Sequence, residues 1–395
     1  MRIAVVLFVL LLYILQNNCF CATMEAPGLS SAIAKFSAKF CNELEKDKSV
    51  VSSPLSAEIL LSLLTLGTED PSHSELLIAL EVPSDDAIRS SFSSLSEKLK
   101  SIKGVTLNVA NKIFLKEGPY EICTELEQDA VKVFDAGIEK VNFDDGVTAC
   151  NLINKWVEDK TNHRIKDLLS SDSVDSDTRL VLVNALYFKG TWQKQFDPHV
   201  TRPQPFFITA EETVEVPMMY REDTYRYGVS DALNAQLLEM AYEGEEASMV
   251  IVLPSEIDGL NGVLGKLAAG HDLMGDLSNM FSTKVHVSVP KFKIETEIDL
   301  TNVLPKLGIN AIFSLNNSGL TKILNNPERL YVSKAVQKAF IEVNEEGAEA
   351  AAATGMVVMM RCAMPTLRFY ANRPFLYLLL DSSRTTLFVG AYRAK

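Results

Sequence analysis

The chain lacks the local signatures of catalysis, and these absences narrow its chemistry first. No Gly-x-Ser-x-Gly nucleophile elbow occurs. No phosphate-binding loop occurs: Gly265-Lys266 has no glycine five positions upstream and no following Ser or Thr. The five histidines (His73, His163, His199, His271, His286) are far apart and none has metal-ligand spacing, so each reads as a surface or capping residue. No carboxylate pair stands out as general acid and base. The expectation is a protein that is no enzyme and carries neither metal nor cofactor.

Positive charge is also scarce. Lys and Arg number 38 against 51 Asp and Glu, a formal charge of −13, which argues against nucleic acid and against an anionic membrane surface as partners. The small basic cluster Lys98, Lys100 and Lys103 has Asp85, Asp86 and Glu97 near it and reads as a solvated helix face. No apolar run is long enough to span a bilayer; the longest, Ile3 to Leu15, falls short. Cysteine is sparse: Cys19 and Cys21 lie near the start, and Cys41, Cys123, Cys150 and Cys362 are too scattered for a disulfide framework. The first three of those four read as buried thiols. No Pro/Gly/Ser-rich linker and no repeat period divides the chain, which favours one large domain over residues 23–395.

What is present is an ordinary globular composition, 395 residues and 47% apolar, with material for a large core. Residues 1–22 combine Arg2, the apolar run and small residues at Cys19-Phe-Cys-Ala22. That is the layout of a secretory signal cleaved near Cys21 or Ala22, and it implies an extracellular, soluble mature chain. Asn316-Asn-Ser318 is a glycosylation sequon in a stretch that reads as a surface loop.

Early segments have helical spacing: Ile33, Phe36, Phe40 and Leu44, then Ser53-Pro54 opening a helix that Gly67 ends, then 74–80, 85–100 and 147–169. Strand patterns cover 106–115, 180–188, several stretches between about 205 and 255, then 285–294, 330–343, 374–380 and 386–392. Helices come early and strands late, without βαβ alternation. The predicted class is α+β with large, mostly antiparallel sheets.

One segment fits no ordinary element. After the strand ending at Val343 come Asn344, Glu345, Glu346, Gly347, Ala348, Glu349, Ala350, Ala351, Ala352, Ala353, Thr354 and Gly355, then an apolar run to Arg361 and Cys362. Read with period two, Ala348, Ala350, Ala352, Thr354, Met356, Val358 and Met360 share one face, wholly small or apolar. The segment has the pattern of a strand that can be buried, lodged where a loop is expected.

This segment resembles the reactive-loop hinge of the serpins, the serine protease inhibitors, and the details are most similar to insect haemolymph members. Other motifs run in the family's order. Ser53-Pro-Leu-Ser56 resembles the start of the shutter helix. Ile153-Asn-Lys-Trp-Val157 with Ile165-Lys-Asp-Leu168 resembles the helix crossing the main sheet. Leu182-Val-Asn184 and Tyr187 to Trp192 are similar to the central strand and its breach tryptophan. Val216-Pro-Met-Met219, Val289-Pro-Lys-Phe292 and the stretch Phe369 to Phe375 are similar to further family segments. One departure stands in Ser333-Lys-Ala-Val-Gln337, where many members have histidine. Glutamine can still donate and accept, so the link to Asn184 is expected to survive without a histidine's pH dependence.

The resemblance implies a helices-around-sheets serpin fold with an exposed reactive loop over about 345–368. It implies a secreted, monomeric suicide inhibitor acting in the extracellular space, the haemolymph if the insect likeness holds. Its partner would be a serine protease held in a covalent complex. Family spacing puts the reactive bond at Arg361–Cys362, which suits trypsin-like enzymes. The stretch from Cys362 to Phe375 is about two residues longer than is common, and Met360–Arg361, suited to chymotrypsin- or elastase-like enzymes, is the alternative. A non-inhibitory carrier or chaperone is the rival function; such members tend to carry bulky, charged or proline residues where this chain has Ala348 to Thr354.

Overall fold

Ser53 and Pro54 start a helix whose every residue is buried. Ser53 is extended, and its hydroxyl accepts from the Ser56 amide; Pro54 has no N–H to lose at the first helical position. Gly67 ends the helix as expected, but not by a left-handed turn, since its φ is −92°. A Cβ there would lie 2.6 Å from Ile323 Cγ1. The glycine serves close packing.

The computed structural model describes residues 26–326, 328–346 and 367–395. In chain order the helices of more than four residues are α1 (Ala26–Asn42), α2 (Pro54–Leu66), α3 (Ser72–Ala79), α4 (Asp85–Ser101), α5 (Thr124–Lys132), α6 (Gly146–Lys160), α7 (Leu260–Ala268) and α8 (Leu273–Ser278). The strands are β1 (Val50–Ser52), β2 (Val105–Lys116), β3 (Gly137–Val141), β4 (Leu180–Gly190), β5 (Arg202–Phe207), β6 (Thr213–Ser230), β7 (Ala235–Ala241), β8 (Ala247–Pro254), β9 (Phe281–Pro290), β10 (Phe292–Asp299), β11 (Val332–Val343), β12 (Leu367–Tyr370), β13 (Phe375–Asp381) and β14 (Thr386–Tyr392).

Two sheets result. One has nine strands; the other has five, in the order β10-β11-β4-β2-β3. Most pairings are antiparallel, as expected. The exceptions are β11 with β4, β12 with β9 and β2 with β3. The parallel pair β4 and β11 sits in the middle of the five-stranded sheet, and β4 is buried along almost its whole length. That burial explains its unbroken apolar run. Helix α6 covers one face through Ile153 and Val157, which pack with Phe114, Val181, Val183 and Val336. Helix α2 packs behind the other face and joins the main core with Ile113, Leu182 and Leu186.

Two boundaries differ from the sequence reading. The helical stretch 147–169 ends at Lys160, because the Thr161 hydroxyl turns back to the Val157 carbonyl at 2.8 Å and then takes the Ile165 amide at 3.2 Å. Ile165 is buried from the following turn rather than from the helix, so its helical spacing was coincidental. The strand 285–294 divides at Lys291: β9 pairs with β6, while β10 crosses to β11 in the other sheet. Pattern alone cannot reveal a strand that changes sheets.

Candidate functional site

A row of polar side chains crosses the middle of the five-stranded sheet. Gln337 on β11 is opposite Asn184 on β4, and Asn184 is opposite Asn111 on β2. All three are buried in an otherwise apolar layer. Buried polar groups persist there only when paired. The Gln337 Nε2 donates to Asn184 Oδ1 at 2.5 Å and to the Ser53 carbonyl at 2.9 Å, while its Oε1 accepts from the Ser53 amide at 3.1 Å. The Asn184 Nδ2 donates to Ser56 Oγ at 2.5 Å and also to Asn111 Oδ1. Ser56 Oγ donates to Asn111 Oδ1 at 3.1 Å, and Ser53 Oγ donates to the Leu387 carbonyl at 2.6 Å. Ser53, Ser56, Asn184 and Gln337 thus meet as one network at the start of α2. The link expected of glutamine is present.

This network bridges two strands that lie side by side. From Leu180–Val332 to Phe188–Ile341 the strands β4 and β11 are direct neighbours, so no other strand stands between them. Parting them requires breaking the Gln337–Asn184 bond. Because β2 and β3 are bonded on the far side of β4, admitting a strand moves β2, β3 and β4 together by about one strand spacing, ~4.8 Å.

A second cluster closes the end of β11. The Trp192 indole donates to the Asn344 carbonyl at 2.8 Å and stacks on Tyr242 with centroids 4.4 Å apart. The Phe196 amide donates to the Glu345 carbonyl at 2.9 Å. The Glu345 side chain is 7% exposed and meets Lys291 Nζ at 2.7 Å. Burial pushes the Glu345 carboxyl up, but the Lys291 ammonium, the backbone amide of Glu345 and the Thr201 hydroxyl together more than offset it, and the group titrates below its ordinary value. A carboxylate lowered by folding contributes stability above its unfolded pKa and loses it as pH falls through the folded one. Replacing Lys291 with Ala is therefore expected to lower the thermal midpoint at neutral pH and to shrink that difference as the pH falls below the usual carboxylate range. A constant difference at all pH values would show that the ion pair is not its source.

Of the residues singled out in the sequence, Ser53, Ser56, Asn184, Trp192, Gln337, Glu345 and Glu346 lie within the described residues. Gly347 to Thr354, Arg361 and Cys362 lie outside them. Asn316 is exposed, whereas the sequon's Ser318 hydroxyl is buried and donates to the Leu330 carbonyl. Lys98 and Lys100 are ion-paired, with Asp381 at 2.7 Å and Asp135 at 3.0 Å. Cys41 and Cys150 are buried and Cys123 half-buried, all three as free thiols. Among the described residues no cluster of three or more His, Cys, Asp or Glu could hold a metal, and no helix is long and apolar enough to cross a membrane.

Two network members escaped the sequence reading. Asn111 left a signal: it sits on the face of β2 that otherwise carries Leu107, Val109 and Ile113. Lys291 left none, because its partner Glu345 is 54 positions away and on another segment.

The serpin (serine protease inhibitor) family model matches residues 31–394, and the chain belongs to that family. It is 42% identical over 362 residues to antichymotrypsin-2 of Bombyx mori, covering 90% of this chain and 96% of that one. It is also 42% identical over 350 residues to antitrypsin of the same species, covering 87% and 88%. Among solved structures, Serpin48 of the insect Tenebrio molitor superposes with a TM-score of 0.83 at 33% identity, covering 94% of this chain and 99% of the other. Cleaved Serpin 42Da gives 0.82 at 38% identity, covering 92% and 97%. The protein is accordingly a serine protease inhibitor whose partners are serine proteases.

Proposed function

We propose that the chain is a secreted, monomeric suicide inhibitor of trypsin-like serine proteases, built as a single domain over residues 23–395 behind the signal 1–22. The observation that carries this reading is the closed β4–β11 pair, taken with a segment following β11 in the chain whose sequence suits insertion between them. The protease serine attacks the Arg361 carbonyl, the Cys362 amine leaves with a proton from the protease histidine, and an acyl ester forms. The freed segment then enters the sheet between β4 and β11, with Ala348, Ala350, Ala352 and Thr354 inward and Gly347 flexing at the hinge.

From Gly347 to Arg361 an extended strand spans roughly 45–50 Å at ~3.3 Å per residue. The protease is carried about that far. About ten new backbone hydrogen bonds at ~1 kcal/mol each stabilise the inserted form by on the order of 10 kcal/mol, against the ~5–15 kcal/mol stability of an ordinary domain. That gain suffices to distort the attached enzyme. Deacylation needs an intact oxyanion hole and triad, so distortion preserves the ester.

Arg361 suits a specificity pocket with an acidic base, where guanidinium and carboxylate pair bidentately. The Bombyx mori relatives named antitrypsin and antichymotrypsin are equally identical to this chain, so overall identity does not choose between targets. The bond itself decides. Incubation with trypsin is expected to give an SDS-stable complex and a small C-terminal peptide whose mass begins at Cys362. A covalent complex formed instead with chymotrypsin or elastase, releasing a peptide that begins at Arg361, moves the bond to Met360–Arg361 and the targets to enzymes of that type. Absence of a covalent complex with any serine protease leaves the non-inhibitory carrier or chaperone. The leader, the exposed Asn316 as a glycan site and the insect relatives support release into haemolymph.

A further inference from the structure

The sequon Asn316-Asn-Ser318 is held by two distant parts of the chain. The Ser318 hydroxyl donates to the Leu330 carbonyl and accepts from the Leu320 amide at 3.3 Å. The Ser318 carbonyl accepts from Ser72 Oγ at 2.5 Å, and the Gly319 carbonyl accepts from the Glu69 amide at 2.7 Å. Gly319 has φ +65°, and a Cβ there would lie 2.3 Å from the Glu69 carbonyl oxygen, so glycine permits this close approach. Asn316 and Asn317 are exposed on this fixed base. The base also has a defined place. Leu330 lies just before Val332, and Val332 pairs with Leu180 at the start of the β4–β11 seam. That is the end of the seam farthest from Val343.

We propose that Asn316 carries an N-linked oligosaccharide that prolongs the life of the trapped acyl-enzyme, because it stands where insertion delivers the protease. This rests on the insertion reading given above. An inserted strand runs antiparallel to β11. Begun at Ala348 opposite Val343, it reaches Val332 at Met359 and brings Arg361 level with Leu330. Leu330 is the residue that Ser318 holds, so the ester arrives beside the sequon. About ten backbone bonds gained on insertion outweigh the confinement of one surface sugar chain, so entry still completes. The root of the sugar cannot recede, and its bulk keeps the distorted protease from regaining a working oxyanion hole. Attachment precedes folding. The Asn316 amide nitrogen bonds C1 of the first sugar, the C1–O bond to a polyprenyl diphosphate breaks, and the nitrogen gives one proton to the transferring enzyme. That enzyme also reads the sequon hydroxyl. In the folded chain Ser318 is 8% exposed and its hydroxyl is taken by Leu330, so a folded, sugar-free chain is not a substrate.

The test uses the whole protein secreted from insect cells, with the occupancy of Asn316 read by mass spectrometry. The covalent complex with trypsin is isolated, and the return of trypsin activity on a small peptide substrate is timed. Asn316→Gln, and separately endoglycosidase trimming of the parent to its first sugar, are each expected to speed that return roughly three- to tenfold, with the rate of complex formation unchanged. A relocated sugar controls for carbohydrate in general: Asn316→Gln combined with Glu211→Asn, which precedes Glu212 and Thr213 in the turn between β5 and β6 of the other sheet, should keep the fast return. Equal return rates for the parent and Asn316→Gln overturn the proposal, as does a relocated sugar that restores the slow return. An unmodified Asn316 in the secreted protein overturns it as well. Folded bacterial protein that microsomes modify at Asn316 overturns the order of attachment and folding. If Asn316 is fully occupied and no covalent complex forms, the insertion reading fails and this one falls with it.

Discussion

Replacing Thr354 with glutamate is expected to turn the inhibitor into a substrate. Trypsin should still cleave Arg361–Cys362 at its usual rate, but little SDS-stable complex should accumulate and the number of inhibitor molecules consumed per trapped protease should rise at least about a hundredfold. The magnitude follows from a competition. Insertion must outrun deacylation, and each ~1.4 kcal/mol added to the insertion barrier shifts that ratio tenfold. Thr354 lies on the face whose other members are all small or apolar, and burying a carboxylate there costs several kcal/mol. Ala353→Glu, one position earlier and on the opposite face, should do far less, since its side chain would point away from the core. Equal stoichiometry for Thr354→Glu and the parent protein would sink the insertion mechanism, because nothing else in the scheme requires small side chains at alternate positions.

The second large effect is expected at Asn184. Its amide makes three hydrogen bonds at the centre of the sheet, to Gln337, Ser56 and Asn111. Asn184→Leu keeps a similar volume but strands buried partners on two strands and a helix. At ~1–3 kcal/mol for each orphaned group, the uncleaved protein should lose about 3–5 kcal/mol. The loss falls on the boundary that holds β4 against β11, so inhibitory activity should also decay on warming before global unfolding, as chains open and insert or associate without cleavage. Thermal denaturation followed in parallel with residual trypsin inhibition measures both. A variant that melts normally and keeps its activity would show that the polar row is incidental to sheet closure. Gln337 has no ionisable group, so this closure should not loosen with protonation at that position between pH 5 and 8.

Much of the fold was legible because it depends on neighbours in sequence. The helix from Pro54 to Leu66 was readable from its serine cap, its proline and its apolar interior, and β4 from its unbroken apolar run. The errors arose where distant contacts overrode a local pattern. Ile165 continues the helical spacing of α6, yet Thr161 ends the helix by taking over two backbone bonds. Val285 to Ile294 reads as one strand, yet the two ends are claimed by β6 and β11, which lie in different sheets.

The same division runs through the site. The sequence alone determined the period-two run of small side chains from Ala348, the arginine that ends the apolar stretch, and the family, since each is a property of contiguous residues or of motifs in order. The tertiary structure decided that Gln337, Asn184 and Asn111 stand in one row, that Lys291 holds Glu345 at the end of β11, and that β4 and β11 touch with no strand between them. Gln337 and Asn184 are 153 positions apart, and their meeting depends on the register of two strands. Register is set by the packing of whole sheet faces against α2 and α6, which no short stretch of sequence contains.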